Sequence, residues 1–149
     1  MIPPLVIAAG NRDRGDDGAG PAVADLLRAT PLEAELIEPR VLPPDLHASW
    51  SAEREVIVVD AVRSGAAPGT VHRLDARAAP LPTELANLSS HGLGLAHAVE
   101  LARALDALPA RLIVYGIEAG PCELGAPLTS PVRAAVAQVA DAIRGELER

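Results

Sequence analysis

Leu5-Val6-Ile7-Ala8-Ala9-Gly10-Asn11-Arg12-Asp13-Arg14-Gly15-Asp16-Asp17-Gly18-Ala19-Gly20-Pro21 is the stretch on which the fold turns. Its first five residues are a short, continuous apolar run without alternation, the pattern of a strand buried on both faces of a parallel sheet. After the loop, Pro21 is preset for a first helical turn, and Ala22, Val23, Leu26 and Leu27 fall close to a 3.6-residue period. Four glycines and three carboxylates lie between strand and helix.

A glycine-rich turn from strand to helix usually cradles a phosphate, because free amides and the helix dipole favour an anion. This loop argues otherwise. It lacks the Gly-Lys-Ser/Thr of a P-loop, and no third glycine follows Gly18-Ala19-Gly20 at dinucleotide-fingerprint spacing. Asp16 and Asp17 would set negative charge where a pyrophosphate belongs, so a cation is the better guest. A calcium loop starting at Asp13 fails, since its twelfth position is Ala24 and not a bidentate glutamate. The plainer alternative is an acidic turn at a helix N-terminus.

The 149 residues suit a single domain over positions 1–149, and 49% hydrophobic content with net charge −7 describes a compact, mildly acidic chain. With Trp50 and Tyr115 as its only aromatic residues, the core is built from Val, Leu, Ile and Ala. No apolar run approaches the roughly 20 residues of a membrane span, and Met1-Ile2-Pro3-Pro4 is not a signal-peptide start. A cytoplasmic location away from membranes is expected. The lone Cys122 excludes an internal disulfide, and the acidic balance disfavours nucleic acid. All 13 basic side chains are Arg, planar forks suited to carboxylates.

Along the chain, Ala34 to Glu38 reads as a second strand and Pro44 to about Ala52 as a short helix with Trp50 on its inner side. Glu55-Val56-Ile57-Val58-Val59-Asp60 is the strongest strand and places Asp60 at its carboxyl end. Thr70 to Leu74 is a fourth strand whose link to the third is too short for a parallel crossover, so it is expected antiparallel to the third. Asp75 to Asn87 reads as a loop. Ser89 or Ser90 caps a helix running to about Leu108, with His91 in its first turn. Leu112 to Ile117 forms a fifth strand, Glu118 to Leu128 a loop, and Ser130-Pro131 opens a last helix with Val132, Val136, Val139, Ala140 and Ile143 on its apolar face.

The alternation predicts a three-layer α/β/α domain on a five-stranded, mostly parallel sheet with one antiparallel strand. Ligands of such sheets gather beyond the carboxyl ends of the strands, where strand order reverses. If the first and third strands are neighbours, the Gly10–Gly20 loop and Asp60 face one crevice, and His91 can join them. Taken singly, Asp60 could be a strand-end turn residue and His91 a mere helix N-terminal residue. His47, His72 and His97 have no partners at telling spacings. Cys122 has no recognisable base, and Gly-X-Ser-X-Gly is absent, which disfavours thiol and serine hydrolase chemistry.

These pieces together resemble the hydrogenase maturation endopeptidases of nickel-iron hydrogenases. The resemblance lies in Gly10-Asn11 with Gly15-Asp16-Asp17-Gly18-Ala19-Gly20, in Val58-Val59-Asp60-Ala61, in His91-Gly92-Leu93-Gly94-Leu95, in Gly116-Ile117-Glu118, and in Leu128-Thr129-Ser130-Pro131-Val132. It implies Asp17, Asp60 and His91 as metal ligands and catalytic residues of an aspartyl-type or metal-dependent endopeptidase. It further implies cleavage of a C-terminal extension from the large-subunit precursor after nickel insertion. Nickel would arrive with the substrate, with cadmium or zinc able to replace it in vitro, and a monomer is expected. The chain departs from the family where Ala8-Ala9-Gly10-Asn11 replaces Gly-X-Gly-Asn, where Glu38-Pro39-Arg40 replaces an acid-glycine turn that helps read the substrate tail, and where Ala119 replaces a common proline.

Two carboxylates and one imidazole leave positions open on a divalent ion and hold it less tightly than a thiolate cage, which suits a metal shared with a substrate. Asn11, Arg40 and Arg63 are the candidate substrate contacts. Arg12, Arg14, Arg40 and Arg63 are all expected on the carboxyl edge, suited to hold the carboxylates, carbonyls or C-terminus of an incoming tail. The other readings are a non-cleaving, nickel-dependent maturation chaperone and a Rossmann-like small-molecule binder.

Overall fold

The structure, a computed structural model, describes residues 2–82 and 94–148. The expected helix cap at Ser89 or Ser90 and the candidate ligand His91 lie outside the described residues. The elements in order are β1 (Leu5–Ala8), α1 (Ala19–Arg28), β2 (Glu35–Ile37), β3 (Glu55–Val62), β4 (Val71–Asp75), α2 (Gly94–Ala104), β5 (Arg111–Glu118) and α3 (Ser130–Leu147), with 3-10 turns at Gly15–Gly18 and Leu46–Ser49. The sheet order is β2-β1-β3-β5-β4. The first four strands of that order are parallel and β4 is antiparallel, the mixed sheet expected from the sequence.

The sheet divides its side chains by strand alternation. Leu5, Ile7, Val56, Val58, Leu112 and Val114 face a core layer with Leu95, Ala98 and Val99 of α2 and Leu46 of the second 3-10 turn. Val6, Ile57, Val59, Ile113, Tyr115 and Ile117 face the opposite layer with Val23 and Leu27 of α1 and Val132, Val136, Val139 and Ile143 of α3. Each fully buried Val, Leu or Ile contributes about 1.5–3 kcal/mol of transfer free energy, and the two faces share that load across the strands. Among the described residues, no helix is long and apolar enough to cross a membrane.

Four sequence expectations are corrected. β4 does run antiparallel, but its partner is β5 and not β3. β3 pairs with β5 over all eight of its residues and with β1 on its other edge, so no side of it is left for β4. The helix expected from Pro44 to Ala52 is only the Leu46–Ser49 turn; so short a segment cannot repay helix nucleation, and Trp50 is held by its indole N–H donating to the Ala107 carbonyl at 2.8 Å. β3 runs on to Val62, so Asp60 lies inside the strand, in register with Gly116 of β5. α2 ends at Ala104, short of Leu108.

After β1 the chain turns to β2 on one side and reaches β3 on the other. The order therefore reverses at β1, and the crevice beyond the carboxyl ends of β1 and β3 is where such sheets bind ligands.

Candidate functional site

The β1–α1 loop is shaped by its own backbone. Gly10 has φ +149°, and a Cβ there would stand 2.2 Å from the Asp17 carbonyl oxygen, so no side chain fits. Gly20 seats α1 against β1 so closely that a Cβ would meet the Ala9 carbonyl at 2.1 Å. Between them, the Asn11 side-chain oxygen accepts from the Asp13 amide at 2.9 Å, and the Asn11 amide donates to Asp17 Oδ2 at 3.2 Å. These two bonds fold the loop inward and orient the Asp17 carboxylate, which is only 5% exposed.

The two neighbouring acids part company. Asp16, 0% exposed, accepts from the Gly120 amide (2.8 Å), the Thr129 amide (2.7 Å) and the Thr129 hydroxyl (2.9 Å). Gly15 and Asp16 in turn donate their amides to the carbonyls of Ala126 and Pro121. Asp16 thus stitches the first loop to the β5–α3 loop, a structural duty for which the sequence offered only the bare Asp-Asp pair. Asp17 faces the opening.

Asp17 lines a cleft of about 490 Å3 together with Asn11, Arg14, Arg40, Val41, Arg63 and Cys122. A narrow recess shared by Asp17, Asp60, Gly10, Arg40 and Gly94 brings in the second predicted acid and the N-terminal end of α2. Burial first, and the Asp17 charge second, push the Asp60 carboxyl well above the ordinary carboxylate range, while a hydrogen bond from the Ala61 amide pulls the other way. A pair of carboxylates that cannot comfortably ionise together is stabilised by a proton or a cation between them. The donor chemistry thus fits a divalent ion brought to the pair. Among the described residues, no three His, Cys, Asp or Glu side chains converge, so the two acids are the described part of the predicted set.

Of the four arginines expected on this edge, Arg14, Arg40 and Arg63 line the cleft and Arg12 does not. Arg12 is bidentate to Asp25 at 2.8 Å and bonded to Glu38 at 2.6 and 2.9 Å, with Arg28 joining Glu38 at 2.9 Å. Arg63 reaches the Gly120 carbonyl at 3.3 Å; Cys122 first, then the charges of Asp17 and Asp16, hold its guanidinium charged.

The cleft sits on a fold shared with known proteins, and the sequence carries the relationship further. The family described as "HycI: Hydrogenase maturation protease" matches residues 24–146, more than half of the chain. The chain belongs to the hydrogenase maturation protease family. The matched stretch holds Asp60 and His91 and begins after Asp17. The hydrogenase maturating endopeptidase HybD from E. coli is 25% identical at a TM-score of 0.80, with 99% of this chain and 93% of that one covered. The hydrogenase 2 maturation peptidase from Thaumarchaeota archaeon SCGC_AB-539-E09 is 28% identical at 0.63, with 97% of each covered. The NiFe hydrogenase maturation protease HybD from Thermococcus kodakarensis, 24% identical at 0.70 over 99% of both chains, shares the fold. None of the curated proteins matches the chain.

In this member of the hydrogenase maturation proteases a further buried acid lies at the same sheet edge. Glu118, 2% exposed at the end of β5, accepts from the Ser64 amide at 2.7 Å, from the Ser64 hydroxyl, and approaches His72 Nε2 at 3.1 Å. It anchors the turn that follows β3 and carries Arg63. His72 therefore has a partner that its spacing in the sequence did not reveal. The Ser64 hydroxyl and Glu118 meet the same histidine nitrogen, so the three do not form a nucleophile–base–acid relay, which needs opposite ring nitrogens.

Proposed function

We propose that the protein is the endopeptidase that removes the C-terminal extension from the large-subunit precursor of a nickel-iron hydrogenase after nickel has been inserted. The observation that carries this reading is the meeting of Asp17 from the β1–α1 loop and Asp60 from β3 in one recess beside the N-terminal end of α2. His91 stands three positions before Gly94 in the chain.

Nickel belongs to the substrate in this reading. Asp17, Asp60 and His91 offer hard oxygen and imidazole donors to coordination positions that the substrate leaves open, and in vitro cadmium or zinc takes its place. Holding the ion fixes the neighbouring peptide bond against the cleft, and orientation of this kind removes several kcal/mol from a hydrolytic barrier. Water adds to the scissile carbonyl carbon, the C–N bond breaks, and the departing amine gains the proton that the water loses. The protein acts as a cytoplasmic monomer on a protein partner, without nucleic acid or membrane.

Mass spectrometry of a nickel-loaded precursor incubated with the protein tests the reading. A large subunit shortened at its C-terminus, absent with nickel-free precursor and with Asp17→Ala, supports it. A precursor that is bound but left at full length sinks the peptidase and leaves a maturation chaperone.

A further inference from the structure

The described arginines fall into three groups. Arg12, Arg28, Arg54, Arg73, Arg103 and Arg111 are ion-paired with Asp or Glu. Arg77, Arg133 and Arg144 donate to backbone carbonyls. Among the described residues, Arg14 and Arg40 enter no side-chain hydrogen bond or ion pair, and Arg63 is held only at 3.3 Å to the Gly120 carbonyl beside Cys122. These three are the arginines that line the Asp17 cleft.

In a chain with 20 acids against 13 arginines, partners for exposed guanidiniums are plentiful, and half of the described arginines take one. Three fork-shaped cations around one cleft, with no direct ion pair to a carboxylate among the described residues, form a rim that can accept an anion. The acids within the cleft are at its floor: Asp17 is 5% exposed and is engaged by the Asn11 amide. The rim is positive and the floor negative.

We infer that Arg14, Arg40 and Arg63 form a carboxylate-binding subsite that grips the extension of the precursor on the far side of the scissile bond. This rests on the proposed reading that a C-terminal extension is the substrate. A peptide laid across the cleft with its metal-bearing side at Asp17 and Asp60 also meets the arginine rim, since Arg40 borders both the cleft and the Asp60 recess. Guanidinium forks bind carboxylates with two parallel hydrogen bonds, so they recognise either the terminal carboxylate of the tail or Asp and Glu side chains within it. A nucleic acid or other polyanion is a poor occupant, because the floor acids and the net charge of −7 repel it. Arg40 follows β2 in the Glu38-Pro39-Arg40 turn and brings its guanidinium to the same cleft as Arg14 of the β1–α1 loop and Arg63 after β3.

The experiment uses the full chain and synthetic extension peptides in three forms: free acid, C-terminal amide, and Asp/Glu exchanged for Asn/Gln. Calorimetric binding to wild type, Arg14→Gln, Arg40→Gln, Arg40→Lys and Arg63→Gln is compared with the KM for processing of nickel-loaded precursor. Each Gln variant is expected to weaken peptide binding and raise KM about tenfold, the size of a lost charge-assisted hydrogen bond. Arg40→Lys restores part of the loss, added salt weakens wild type more than the variants, and nickel affinity of the peptide-free protein stays within twofold. A loss confined to the amide assigns the subsite to the terminal carboxylate; a loss confined to the Asn/Gln peptide assigns it to acidic side chains. Equal binding of all three peptides, or wild-type KM in all three Gln variants with folding intact by thermal unfolding, overturns the inference. Tight, arginine-dependent binding of the acid peptide with no cleavage by wild type upholds the subsite and removes the endopeptidase reading.

Discussion

The buried Asp16 carboxylate accepts hydrogen bonds from both the amide and the hydroxyl of Thr129, at 2.7 and 2.9 Å, and so ties the loop after β1 to the start of α3 across 113 positions of sequence. Removing it takes the acceptor from the part-buried Gly120 and Thr129 amides and from the Thr129 hydroxyl. Asp16→Ala is therefore expected to destabilise the fold by roughly 2–3 kcal/mol, the scale of losing hydrogen bonds to a charged group. Thr129→Val deletes one of the three bonds and is expected to cost about 1 kcal/mol. Urea unfolding measures both. An Asp16→Ala protein of wild-type stability but altered nickel affinity would move Asp16 from the scaffold into the metal site.

Asp60 carries the opposite signature. It lies beside Asp17 in a recess, and burial and the Asp17 charge both disfavour its ionised form. Native proteins keep such a residue at a cost to stability when activity requires it. Asp60→Asn keeps the shape and removes the charge, and is expected to match or exceed wild-type stability by about 1 kcal/mol while processing falls below detection. Thermal unfolding and the precursor assay, run on the same preparation, decide it. A variant that is both clearly less stable and still active contradicts the assignment.

The sheet was legible because its strands are apolar runs of fixed length and its short β3–β4 link forbids a parallel crossover; the neighbour of β4 was not, since pairing depends on which sheet edge remains open. Likewise Asp17 and Asp60 could be joined from sequence, as one follows β1 and the other lies toward the carboxyl end of the adjacent β3, at the reversal of order. The separate duty of Asp16 could not. Asp16 and Asp17 are adjacent and chemically identical, and only the 3-10 turn at Gly15–Gly18 sends one carboxylate to Thr129 and the other into the cleft. Arg12 and Arg14, two positions apart in the loop before that turn, also diverge: one meets Asp25 and Glu38, and the other meets the opening.

Stability at low pH should report on Glu146. Burial opposes its ionised form, but hydrogen bonds from Arg73, Tyr115 and Arg111 outweigh that and bring it down from 4.5 to about 2. A lowered folded-state value means that its contribution is fully present above the unfolded value near 4.5 and is lost as pH falls toward 2. Glu146→Gln is expected to be about 2 kcal/mol less stable than wild type at neutral pH, the scale of hydrogen bonds to a charged group. The gap should close on acidification through that window. Chemical unfolding across pH checks it, and a gap that stays constant down to the acid end would rule out this carboxylate as the source.

Arg12 separates the arginines of the scaffold from those of the cleft. Its fork binds Asp25 through two 2.8 Å bonds and Glu38 through two more, and this ties the β1–α1 loop to α1 and to the end of β2. The network is exposed to solvent, with 46% of the Arg12 side chain accessible, so its worth is limited by screening and by the entropy of ordering three long side chains. Arg12→Ala is expected to lower stability by about 1 kcal/mol, with the loss shrinking as salt is added. It should leave the KM for precursor at the wild-type value, whereas Arg40→Gln, two positions beyond Glu38, raises it. Urea unfolding at low and high ionic strength gives the first half, and processing kinetics below saturation give the second. If Arg12→Ala raises KM as much as Arg40→Gln does, the tail is read by the whole arginine-rich edge and not by the three guanidiniums that face Asp17.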